Sequence, residues 1–253
     1  MIIIATIFAF ALGIVGWIYV ALKPPSPKIC GTPNGPQVTS PRVKLNDGRH
    51  LAYKEFGVPR EKAQYKIILS HGYNASKDMH IAVSQEFMEE VKAYMVIYDR
   101  AGYGESDPYP SRSVKTEAFD IEELADKLKL GSKFYTPRSF LDLEILKDVV
   151  NCPTNFKEKI RQQGDYECLH RDVLVSFGKW EFDPTELTNP STESIRSVHM
   201  WQGGADRVIP IEFSRFVAQK LPWIQYHEVP NAGHLIVHEG ESLKAIIRAL
   251  IAE

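Results

Sequence analysis

Asp206 and His234 are the residue pair most suited to chemistry in this chain. Each sits just past a predicted strand, Asp206 in "GGADRVIP" and His234 in "PNAGHL", 28 positions apart. A carboxylate and an imidazole so placed are the back half of a nucleophile, acid, base order. Asp206 would orient the ring and His234 would act as general base, then acid. A third strand end carries His71, Gly72 and Tyr73 in "SHGYNAS". Glycine there lets the backbone approach a ligand, and the next N–H can point at a developing oxyanion. Singly, each has a plainer reading: a structural histidine after a glycine, or an aspartate holding a turn.

The elements that must position these residues alternate. Two runs around Asn46-Asp47-Gly48 predict a β-hairpin. Residues 66–72 predict a buried strand, 82–94 an amphipathic helix with Val83, Phe87 and Val91 on one face, and 95–100 a second strand. A helix is expected over 116–130, stopped by Gly131, and "KFY" opens a third strand. The pattern then turns helical and polar to about residue 188. It resumes as strand 197–203, helix 211–221, strand 225–230 and helix 242–251. Strands alternating with helices imply a parallel sheet covered on both faces.

The segments "HGYNASKD", "YDRAGYGESDP", "WQGGADRVIP" and "PNAGHL" resemble the α/β-hydrolase superfamily, AB hydrolase-1 type, and specifically its plant membrane-anchored branch. Residues 160–184 resemble that branch's cap. The resemblance covers nearly all of 42–253. It implies a mostly parallel sheet with helices on both faces, and serine esterase or lipase ancestry with ester or lipid-like substrates. It also implies that Asp206 and His234 are the triad acid and base, and that His71, Gly72 and Tyr73 form half an oxyanion hole. Asp99, Arg100, Gly102 and Gly104 match a motif that shapes a loop, a structural role.

The superfamily carries its nucleophile on a G-x-S-x-G elbow. Only Gly31 and Gly35 lie four apart, and Pro33 stands between them. In relatives, "GSKFY" continues into the elbow strand, whereas here Tyr135 is followed by Thr136-Pro137 and late cap-like sequence. The central strands are therefore expected to be incomplete. Ser132, Ser139, Asp142 and Cys152 are poor substitutes: the serines lack the flanking glycines of a sharp turn, Asp142 sits in a helical pattern, and Cys152 precedes Pro153 in a loop far from any strand end. Whether this chain is an enzyme is left open. The expected alternatives are an impaired hydrolase, a non-catalytic binder of a small ligand or partner, and a poorly folded shortened form, from splicing or a gene-model error.

Five segments follow: 1–22, a Pro-rich linker 23–41, the first core half 42–135, a helical cap remnant 136–195, and the second core half 196–253. Residues 2–22 are uncharged and apolar. As a helix they would span about 31 Å, one hydrocarbon core. They predict a single-pass anchor, without the basic start or cleavage site of a signal peptide. Lys23, Lys28, Arg42 and Lys44 follow it and place the globular part in the cytosol. The sequon Asn74-Ala75-Ser76, beside the oxyanion loop, agrees. The linker has six prolines and two glycines and predicts an extended stretch. A net charge of −2 gives no basic patch for nucleic acid. Cys30, Cys152 and Cys168 are scattered, so no metal site or disulfide framework is expected, and no cofactor.

Overall fold

The computed structural model describes residues 2–131, 133–136, 154–189 and 197–252; the side chains of 2–9 and 154–156 fall outside that description. Ser132, Pro137, Ser139, Asp142 and Cys152 lie outside the described residues.

Four strands make the first sheet: β1 (Arg42–Lys44), β2 (His50–Gly57), β3 (Tyr65–Ser70) and β4 (Ala93–Tyr98), in the order β1-β2-β4-β3. The hairpin turns at Asp47-Gly48, where Gly48 takes φ +94°. β1 and β2 pair antiparallel, as do β2 and β4, while β3 and β4 pair parallel. The expected mostly parallel sheet therefore has antiparallel ladders at its hairpin side. β4 is buried at every position, which is why its sequence "AYMVIY" reads as an unbroken apolar run.

Helices cover both faces of this sheet. On one, α3 (Val114–Lys127) packs Leu124 and Ala125 against Ile68, Val96 and Tyr98. A capping box between Ser113 and Thr116 starts α3. On the other face, Phe87 and Met88 of α2 (Gln85–Glu90) join Ile67, Leu69, Met95 and Ile97. α2 is shorter than its sequence pattern because Lys92 takes φ +52° and turns the chain into β4.

Beyond the cap, β5 (His199–Gly203) and β6 (Gln225–Val229) pair parallel as a separate two-stranded sheet, flanked by α6 (Ile211–Lys220) and α7 (Gly240–Ile251). Among the described residues no ladder joins β3 to β5. The two halves meet through α7, whose Leu243 and Ile247 are buried against Ile67, Leu69 and Met95. Tyr135 alone continues the first sheet past β3, as a parallel bridge to Ile67.

The cap remnant contains α4 (Thr154–Ile160), a wider π-type turn over Tyr166–His170, and α5 (Arg171–Phe177) running straight on from it. The segment 23–41 has no helix or strand, yet it is tied down. Lys28 N–H donates to Gln163 O, Cys30 is buried, and Thr39 and Ser40 bond the Glu105 carboxylate.

Residues Ile2–Leu22 form one helix, α1. Among the described residues no helix is long and apolar enough to cross a membrane.

Candidate active site

The loops after β5 and β6 are laced together by their backbones. Gly204 N–H donates to Val229 O (2.8 Å) and Ala205 N–H to Ala232 O (3.0 Å). A side chain at Gly203 would forbid this approach, since its Cβ would lie 2.2 Å from Gly233 O. That lacing sets Asp206 opposite His234, with Oδ2 of the carboxylate 2.8 Å from Nδ1 of the ring. Both side chains are nearly inaccessible to solvent.

The remaining capacity of Asp206 is filled. Val208 N–H and Ile209 N–H donate to Oδ1 at 2.8 and 3.0 Å, and the Gln202 amide donates to Oδ2 at 2.9 Å. Burial by itself would raise the Asp206 carboxyl. The His234 ring and the two backbone donors outweigh burial and hold it below the usual carboxylate range. Asp206 is thus a fixed anion that selects the Nδ1–H tautomer of His234 and leaves Nε2 as the basic nitrogen.

His71 does something the sequence did not reveal. Its Nδ1–H donates to Gly72 O (2.8 Å), and its Nε2 accepts from Arg100 N–H (3.0 Å). The ring is buried edge-on against Tyr103, and burial, together with the Arg100 charge, lowers its pKa to about 3. The imidazole is therefore a neutral brace between two loops. Tyr73 N–H, the oxyanion candidate, makes no hydrogen bond among the described residues. Asn74 beside it stands at φ +56°, its side-chain oxygen accepting from Arg161 Nε (2.9 Å). The structure brings acid and base together in Asp206 and His234, while the His71 ring bonds to Gly72 and Arg100.

The residues 99–107 are built around buried charge. Asp99 is fully buried and accepts from Lys77 N–H, Lys77 Nζ and Glu105 N–H. Gly104 at φ +50° leaves room for that carboxylate, whose Oδ2 would lie 2.2 Å from a Cβ there. Arg100 and Arg112 both grip Asp172 of α5, which also accepts from Tyr103 Oη (2.7 Å). Glu117 balances the second guanidinium charge. These ion pairs hold the loop and α5 in place, while Arg100 Nε and Arg112 Nε, both buried, make no hydrogen bond among the described residues. Sequence reasoning missed Asp172 because its partners lie 60 to 72 residues away.

Cys30 and Cys168 are both buried. Burial pushes the Cys30 and Cys168 thiols up to about 11 and about 12. Among the described residues no group of three metal-ligating side chains occurs.

No protein-family model matches this chain, and no curated protein matches it. Solved structures do. An enol-lactonase from Burkholderia xenovorans aligns at a TM-score of 0.63 and 12% identity, over 84% of this chain and 100% of that one. A thermophilic esterase from Thermogutta terrifontis gives 0.57 and 19%, over 84% and 98%. An α/β-hydrolase fold protein from Chitinophaga pinensis gives 0.59 and 13%, over 85% and 98%. At these identities the likeness speaks for fold, and the fold of this chain is that of the α/β-hydrolases.

Proposed function

We propose that this chain is a membrane-anchored protein of serine esterase or lipase ancestry that has lost its nucleophile and is catalytically impaired. One observation carries the reading: Asp206 and His234 stand in acid–base contact at 2.8 Å, yet the sequence holds no G-x-S-x-G for them to serve. The structural neighbours described as esterase and lactonase support ester-type chemistry in the ancestry. Water activated by His234 would hydrolyse esters only slowly, without the covalent step that divides the barrier. The anchor rests on the apolar sequence of residues 2–22, and the charges after it favour a cytosolic globular part.

The junction at Tyr135 and Thr136 motivates the rest. We infer that a segment with the elbow is missing there, through alternative splicing or a gene-model error, from a longer hydrolase of the plant membrane-anchored type. Sequencing the transcript and its genomic locus across the junction tests this; no coding segment between the two codons would end the idea. A second reading, a non-catalytic binder, draws on Tyr73 N–H, which is left to receive a carbonyl or carboxylate. Thermal stabilisation by ester-like ligands without turnover is its test. Fluorophosphonate labelling tests the main reading, with no serine labelled as the expected outcome.

A further inference from the structure

Helix α5 buries an aspartate beside Val175 and exposes most of its apolar side chains. Surface helices bury an apolar stripe and show a polar face. Here the inward positions include Asp172, held by Arg100, Arg112 and Tyr103, and the outward positions are Val173, Leu174 and Phe177. These three are 42%, 60% and 70% exposed, and their spacing places them on one helical face. The three-way grip on Asp172 fixes the helix rotation, so this face cannot turn inward without stripping two buried guanidinium groups of their partner.

A second observation indicates what covers that face. The strap after α1 is fastened to Gln162 and Gln163, just before the turn that leads into α5. Lys28 N–H donates to Gln163 O at 3.1 Å, Cys30 N–H donates to Gln163 Oε1 at 3.4 Å, and Gln162 Nε2 reaches Cys30 Sγ at 3.4 Å. Gln163 lies three residues before the turn that opens into α5. Lys28 lies six positions after Leu22, a reach of about 21 Å at most. The exit of α1 is therefore confined to within about 21 Å of the Gln163 clamp, whatever the rest of the linker does. Ile29, inside the clamp, is itself 40% exposed.

Resting on the anchor reading above, we propose that the Val173, Leu174 and Phe177 face of α5 lies in the bilayer surface as a second membrane contact, held there by the Gln163 clamp. Lys179 beyond α5 is offset by Glu181 and Asp183, so the contact is apolar and needs no anionic lipid.

The test uses the full chain with Cys152→Ser, in vesicles of neutral phosphatidylcholine. An environment-sensitive dye is attached at Phe177→Cys, at Trp17→Cys in α1, or at Phe216→Cys on α6, an exposed aromatic away from the cap. Cys30 and Cys168 are buried with raised thiol pKa values and do not compete for the dye. Lipids brominated near the headgroup should quench and blue-shift the dye at 177 and leave the dye at 216 unchanged. Quenching at 17 without quenching at 177 overturns the second contact while the anchor stands. Loss of quenching at both 17 and 177 removes the anchor and this contact together. Equal quenching at 177 and 216 overturns it as unspecific adsorption. A shift at 177 that follows protein density and ignores the brominated lipid assigns the face to a second copy, and also overturns it.

Discussion

Tyr135 lies beside Ile67 as the first residue of a strand that goes no further among the described residues. Tyr135 N–H donates to Lys66 O at 2.9 Å, and Ile68 N–H donates to Tyr135 O at 2.8 Å. By the alternation of a parallel ladder, Ser70 N–H faces the same edge, and no described residue pairs with it. Amide hydrogen exchange should show Ile68 and Tyr135 protected, since each N–H is bonded across this ladder, and fast exchange at either would contradict the pairing.

Asp172 should be the most sensitive position of the cap. Asp172→Ala leaves Arg100 and Arg112 buried with Glu117 alone, and should lower unfolding stability by about 3–5 kcal/mol. Tyr103→Phe removes a hydroxyl that donates to Asp172 and accepts from Asn74 N–H, and should cost about 1–2 kcal/mol. Urea midpoints measured at constant slope give both numbers.

The strap should come loose in acid before the domain unfolds. Burial would raise the Glu105 carboxyl, but the donors of Thr39 and Ser40, with Lys77, bring it down to about 2. The folded pKa lies below the unfolded value near 4.5, so this contribution is whole above 4.5 and is lost as pH falls towards 2. Limited proteolysis with pepsin should cut within 30–40 increasingly as pH falls from 4.5 to 2. At pH 7, Glu105→Gln should make the same stretch sensitive to a neutral protease.

His71 acts in a higher window. Its unfolded ring takes up a proton near pH 6.5, while the folded ring waits until about 3. The unfolded state binds more protons in between, so stability is complete above 6.5 and declines as pH falls. The slope should approach about 1.4 kcal/mol per pH unit. Between pH 6.5 and 4.5 this decline should vanish in His71→Asn, whose stability at pH 7 should itself be lower by about 1–3 kcal/mol.

Much of this was legible in the chain. Hydrophobic period placed β4 and all four elements after residue 197 within two or three residues, because each buries one face locally. The Asp206–His234 contact followed from two strand ends and a 28-residue spacing. Long-range polar contacts did not show. Nothing in "TSP" predicts that Thr39 and Ser40 close over Glu105, and nothing in "RDVLVSF" says that its aspartate points inward and its leucine out. The role of the His71 ring was hidden for the same reason: its partner is a backbone N–H 29 residues away.

The central claim is that an assembled acid–base pair has nothing to activate. Incubating the folded full chain with a fluorophosphonate reagent, beside the same chain with a G-x-S-x-G elbow segment inserted after Tyr135, tests it most directly. The account predicts no labelled serine in the native chain and a single labelled serine in the elbow of the restored one, lost again in His234→Gln. Stoichiometric, His234-dependent labelling of a serine in the native chain would contradict it.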